Sequence, residues 1–271
     1  MKISLSDRFN YKKLLKFTLP SMVMMVFTSI YSVVDGFFVS NFCHTTEFAA
    51  INLIMPFLMI LGAVGFMFGA GGSALVSKTL GEGDPVRANK IFSLITYVSA
   101  AIGVILAVVG IVFMRPVAAL LGAEGELLER AAVYGRIILI ALPFFILQME
   151  FQSFFITAEK PQLGLAVTVA SGLTNIVLDA LLVGAFGFGL EGAATATAIS
   201  QVVGGIAPII YFSRKNKSLL RFCKAKIDLG VLIKTCTNGS SELMSNIAFS
   251  IVGILYNIQL LKYEGENGVA A

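Results

Sequence analysis

Two acidic residues stand where an apolar chain has least use for them. Asp35 lies in S32-V33-V34-D35-G36-F37-F38-V39 and is the only charge in an apolar run that begins near Phe17. Asp179 closes S171-G172-L173-T174-N175-I176-V177-L178-D179, and the apolar run continues past it through A180-L181-L182-V183. A charge at the centre of a membrane helix costs about 2.5–3.5 kcal/mol on insertion scales, so such residues tend to mark ion or substrate paths. Asn175 precedes Asp179 by one helical turn and shares its helix face. With Thr197 at a similar depth, the set comprises two carboxylates, an amide and a hydroxyl. These donors suit Na⁺, since hard cations prefer oxygen, or a proton shared between carboxylates. A plainer reading stays open. Asp35 is four residues, about 6 Å of helix rise, from the expected end of its span and can face interfacial water there. Thr197 alone carries no weight, because membrane threonines usually bond their own backbone.

Other polar side chains fall inside apolar runs. Q148-M149-E150-F151-Q152 puts Gln148 and Gln152 on one helix face and Glu150 on another. Glu150 either lines an aqueous substrate cavity or pairs with a base. In K234-T235-C236-T237-N238-G239-S240-S241-E242, Glu242 is a further cavity candidate, with pairing to Lys234 as the alternative. Cys43, Cys223 and Cys236 share no metal-ligand spacing and are read as isolated thiols; with His44 as the only histidine, a His/Cys zinc or haem centre is not expected.

These groups sit in a chain that is 57% hydrophobic and only 13% charged, against about a quarter charged for soluble domains. The sequence therefore describes an all-α integral membrane protein. Seven runs reach the roughly 20 residues that a bilayer demands: Phe17–Val39, Phe48–Ser77, Ile91–Phe113, Ala131–Thr157, Leu163–Val183, Ala193–Phe212 and Val231–Leu261. Basic residues gather before the first run (Lys2, Arg8, Lys12, Lys13, Lys16), after the second (Lys78, Arg87, Lys90), after the fourth (Lys160) and throughout 213–226. The opposite loops hold Arg115 and Arg130. The positive-inside rule then expects a cytoplasmic N-terminus in the inner or plasma membrane. The net charge of +4 is thus a loop pattern facing a lipid bilayer, with no nucleic-acid footprint.

The basic stretch 213–230 divides the chain into a six-span lobe, 1–212, and a seventh span, 231–271. S29-I30 and F48-A49-A50 are matched by S250-I251 and V269-A270-A271 at a constant offset of 221 residues. On that repeat, span seven repeats span one, and the chain stops where the repeat of span two would begin, as a truncated two-repeat transporter would. Pro20, Pro56, Pro143 and Pro208 each remove a backbone donor inside a span. Gly65 and Gly69 are spaced for close helix packing.

Taken in order, several motifs resemble the multidrug and toxic compound extrusion (MATE) family, and its drug-efflux subgroup in particular. They are Leu19-Pro20, V34-D35-G36-F37-F38-V39, G81-E82-G83-D84 with R87-A88, Ala158-Glu159-Lys160-Pro161, N175-I176-V177-L178-D179, G189-L190-E191-G192-A193-A194 and N238-G239-S240-S241-E242. The resemblance implies a twelve-helix, two-lobe antiporter that exports lipophilic, drug-like organic cations in exchange for Na⁺ or H⁺. The same resemblance implies no other cofactor and no enzymatic activity, and five further helices of a second lobe in the full-length chain. It further implies that Asp35, Asn175, Asp179 and Thr197 form the cation site of the first lobe, that Gln152 stands where some members have an asparagine ligand, and that span one bends at Pro20. A flippase of lipid-linked precursors would want a more basic cavity than Arg136 and Lys234 provide. An intramembrane aspartyl protease would need Tyr-Asp and Gly-x-Gly-Asp contexts, which V34-D35-G36 and L178-D179-A180 do not supply.

Overall fold

The computed structural model describes residues 10–214 and 218–270. Lys2, Arg8, Lys215 and Lys217, counted above among the basic residues, lie outside them. Within the described residues the chain is helical almost throughout: α1 Tyr11–Phe42, α2 Thr45–Gly81, α3 Pro85–Leu120, α4 Gly125–Thr157, α5 Pro161–Leu178, α6 Gly189–Ser213 and α7 Leu229–Ala270. All seven are long and apolar enough to cross a bilayer, α5 with its continuation to Ala185. Their starts follow local chemistry. Asn10 and Asp84 accept hydrogen bonds from the Lys13 and Arg87 amides at 2.9 Å, and Pro85 and Pro161 open α3 and α5 at positions where no amide donor is needed.

Six of the seven helices overrun their apolar runs at both ends, counting α5 with its continuation to Ala185, as polar residues carry the backbone ladder on; α4 overruns at its start and ends at Thr157 as expected. α1 runs unbroken through Pro20, and α7 extends past Leu261 to a break at Gly265, whose φ of 65° reverses the chain locally. Beyond that break, the Val269 carbonyl accepts from Asn52 Nδ2 at 2.9 Å and Thr46 Oγ1 donates to Glu266 at 2.6 Å. The end of α7 is thereby tied to the start of α2.

Glycines decide where helices touch. A Cβ on Gly65 would come within 2.5 Å of the Ile146 carbonyl, and one on Gly69 within 3.1 Å of Glu150 Cα, so α2 and α4 run side by side in the same direction. A Cβ on Gly71 would meet the Thr235 carbonyl at 2.0 Å, and one on Gly239 the Met67 carbonyl at 2.0 Å, so α7 passes α2 in the opposite direction. Without water to drive apolar surfaces together, such small-residue contact is how membrane helices associate. α3 and α6 run antiparallel to α4 through Gly103 against Pro143 and Gly205 against Phe144, and α1 runs parallel to α5 with Phe27 seated over Gly172. At the end where α3 begins, Phe92, Phe151, Phe154 and Phe212 form an aromatic core that the linker's Phe222 joins by stacking on Phe92.

The linker 218–228 carries no helix but is strapped to α3. The Cys223 amide donates to Ser93 Oγ at 2.9 Å, and the Arg221 amide to Asn89 Oδ1 at 2.5 Å.

Replacing Gly239 by Leu is expected to force α7 off α2 and to cost about 1–3 kcal/mol or more. It should lower the thermal unfolding midpoint of the detergent-solubilised chain. An unchanged midpoint would mean that the two backbones do not meet there.

Candidate cation site

Asp35 comes from the last third of α1, and Asp179 from the point where α5 changes its winding. From Asp179 to Ala185 the chain is π-helical, closed by the Phe186 amide donating to the Leu181 carbonyl at 2.8 Å. The sequence pattern treats this stretch as ordinary helix. Hydrophobic spacing does not distinguish an i→i+5 turn from an α-helical one, and such turns recur at functional sites. Asp179 is 0% exposed and Asn175 1%.

The Asp35 carboxyl adjoins the Asp179 carboxyl and the Asn175 side chain. Asn175 Nδ2 donates to Thr197 Oγ1 at 3.4 Å, which brings in α6. The four residues Asp35, Asn175, Asp179 and Thr197 thus meet across α1, α5 and α6. Asp35 Oδ1, both Asp179 carboxylate oxygens and Asn175 Oδ1 are buried with no hydrogen-bond partner among the described residues. None of the ion pairs among those residues involves either acid. Buried oxygens are normally satisfied. Four orphans at one point, most of them on carboxyl groups, form a donor set that a cation or shared proton would complete, so the residues present fit either.

The arrangement continues along the α5–α6 seam. Ser171 Oγ donates to the Ser200 carbonyl at 2.7 Å, and Gln148 Nε2 reaches Ser171 Oγ at 3.5 Å while packing over Gly204. Gln148 therefore belongs to a polar seam between α4, α5 and α6. Tyr134, buried on α4, lies within electrostatic range of both acids. Neither Ser171, Ser200 nor Tyr134 stands out in the sequence, since single hydroxyls in apolar helices usually serve their own backbone.

The other sequence candidates are not gathered here. Gln152 sits 18 residues beyond Tyr134 on α4, about 27 Å of helix rise away, and its amide meets Met149 Sδ at 4.0 Å. Glu150 pairs with no base among the described residues. It is 0% exposed, and its carboxyl is held by Thr96 Oγ1 at 2.8 Å and by Ser99 Oγ, both of α3. Two hydroxyls about one turn apart on the facing helix satisfy it, which no spacing within α4 reveals. Glu242 is exposed on α7, its backbone carbonyl accepting from Asn246. Pro20 is a buried residue inside α1, about four helical turns from Asp35.

Near the site, Glu47 organises one end of the bundle. It caps the start of α2 by accepting from the His44 amide at 3.3 Å, receives Arg130 of α4 at 3.3 Å and lies against Gly189 at the start of α6. Cys43, in the α1–α2 turn, feels this carboxylate. Burial first, then Glu47, with smaller contributions from Asp179 and Asp35, push its thiol up to about 12.

The MatE family profile matches residues 20–181. Multidrug export protein MepA of Staphylococcus haemolyticus is 30% identical over 254 residues, covering 93% of this chain and 56% of the relative, and MepA of Staphylococcus aureus (strain MRSA252) is 29% identical over the same shares. The chain thus spans about half the length of the curated relatives it matches. Among solved structures, the MATE multidrug transporter DinF-BH superposes with a TM-score of 0.87 at 25% identity, over 99% of this chain and 61% of that one. An outward-facing multidrug resistance MATE transporter superposes with a TM-score of 0.84 at 24% identity, over 96% and 58%, a likeness of fold.

Two outcomes follow from these environments. Glu150→Gln keeps a group that can bond both hydroxyls and is expected to cost under about 1 kcal/mol, whereas Glu150→Ala leaves a cavity and is expected to cost about 2–5 kcal/mol. Thermal unfolding in detergent compares the two, and equal losses would contradict the carboxyl's bonding role. In a C223S/C236S chain, maleimide labelling of Cys43 should climb about tenfold per pH unit and still be rising at about pH 10, because the thiolate is the reactive form. A plateau near pH 9 would refute the raised thiol.

Proposed function

Because the chain belongs to the MatE family, we propose that it forms the ion-coupling part of a secondary transporter exporting lipophilic organic cations in exchange for Na⁺ or H⁺. The observation that carries this reading is the meeting of Asp35 and Asp179 with unpartnered buried oxygens and no basic counter-charge among the described residues. The relatives are transporters, so the pair is read as a cation site and not as a protease dyad.

Two unit charges about 4 Å apart repel by about 4 kcal/mol at an effective permittivity of 20. With both carboxylates ionised, α1 is pushed from α5. A bound Na⁺ or proton removes that repulsion and seats α1 against α5, with Asn175 and Thr197 supplying further oxygens. Ion binding therefore has different free energies in the two arrangements, and only such a difference can drive a conformational exchange. Substrate favouring the separated arrangement then competes with the ion, giving antiport. Lipophilic cations suit the chemistry, since acids and aromatic faces both attract them. A cytoplasmic N-terminus is part of this proposal and is supported by the basic loops.

Reconstituted in proteoliposomes as the complete protein, Asp35→Asn and Asp179→Asn are each expected to lower gradient-driven export of a fluorescent organic cation by about a hundredfold. Substrate binding without a gradient should persist. Imposing a Na⁺ or a pH gradient separately identifies the coupling ion. Full export by Asp35→Asn under both gradients would sink the assignment.

A further inference from the structure

At the end of the bundle where α3 and α7 begin, a groove of about 930 Å³ opens between the first turns of α3, the extended stretch 224–228 and the start of α7. Its polar lining is Arg87 and Lys90 of α3, Lys224 and Lys226 of the linker, and Asp228. None of these four cations makes an ion pair among the described residues, whereas Lys78 beside the groove has Glu82 at 3.9 Å. Asp228, the single acid, has its Oδ1 engaged by the Val231 amide at 3.2 Å as the cap of α7. Four cations therefore share the groove with one carboxylate, and its lining is net positive.

The remaining lining is apolar. Ile91 and Leu94 form the α3 wall, while Ile227 and Leu229 stand at the rim, 79% and 69% exposed. Large aliphatic side chains beside unpaired lysines suit neither water nor hydrocarbon alone. They suit the boundary between the two, and α3 and α7 enter the bilayer directly from this groove. Basic pockets between membrane helices at this depth bind anionic lipid headgroups.

We propose that this groove is a binding site for an anionic phospholipid, its phosphate held by Arg87, Lys90, Lys224 and Lys226 and its acyl chains lying against Ile227, Leu229 and the α3 wall. The site is independent of the ion-coupling reading, for it shares no residue with Asp35, Asn175, Asp179 or Thr197. The linker supplies half of the cations and is itself strapped to α3 through Ser93 and Asn89. A bound lipid thus joins the linker, α3 and α7 at one point.

The test uses the purified chain in nanodiscs of mixed phosphatidylglycerol and phosphatidylcholine, with retained lipid read by native mass spectrometry. Preference for phosphatidylglycerol is expected in the unaltered chain. It should fall about fivefold per charge removed, so about 25-fold in Lys224→Gln/Lys226→Gln. Asp228→Asn, which keeps a capping oxygen while removing the acid, should move the preference the other way, a rise that misfolding would not produce. Millimolar inorganic phosphate should not displace the lipid. Equal phosphatidylglycerol retention in the lysine variant would overturn the proposal, as would full displacement by inorganic phosphate, which would make the groove a site for a free anion.

Discussion

Apolar side chains gain little by leaving lipid for another helix, so the bundle is held by close backbone approach and a few buried polar contacts, and α2 supplies most of the first kind. Gly62, Gly65 and Gly69 bring it against α4, Gly72 against both α3 and α4, and Gly71 against α7. α4 in turn holds α6 through Gly204 and Gly205, and α6 holds the π-helical turn that presents Asp179 through Gly192 against Leu182. The acid pair is placed by a relay of glycine contacts that begins on α2 and reaches it through two intervening helices. A methyl group at one of those positions would be felt at the far end of the relay.

The division between what was legible in the sequence and what was not follows from the range of each signal. Composition and run length expose seven membrane helices, because bilayer thickness imposes a length on every one of them. Asp35, Asn175 and Asp179 could be picked out because a charge or amide within an apolar run is conspicuous by itself. Partners drawn from other helices were not visible. Glu150 reads as lining a cavity or pairing with a base, and nothing along α4 shows that Thr96 and Ser99 face it; Gln148 reads as a companion of Gln152, and nothing shows that Ser171 lies beside it. The π-helical turn left no trace either, since its one-residue offset is smaller than the tolerance of any hydrophobic pattern.

The linker shows how a segment can be irregular and still belong to the bundle. Its backbone amides at Arg221 and Cys223 are satisfied by side chains of α3, and Phe222 enters the aromatic core. Buried amides demand partners. α3 provides Asn89 and Ser93 at positions four apart, about one turn of helix, so the extended strand and the helix face match in repeat. Sequence alone presents this region as a basic spacer. Its anchoring makes the stretch to Cys223 part of the same body as α3.

α1 differs from α2 to α6 in how little holds it. Only 12% of its most apolar window is buried inside the protein, against 56% for α4. Apart from light contact with α2 and α6, it rests on α5 and the π-helical turn. Lipid is nearly as good a neighbour for its outer face as protein is, so displacing it exposes few groups that resist exposure. The contacts that would have to part for α1 to move therefore lie along α5 and the π-helical turn, with Phe27 over Gly172 and the Asp35–Asp179 contact among them. The 32-residue α1 is thus held to the bundle mainly through the one seam that also carries the acid pair.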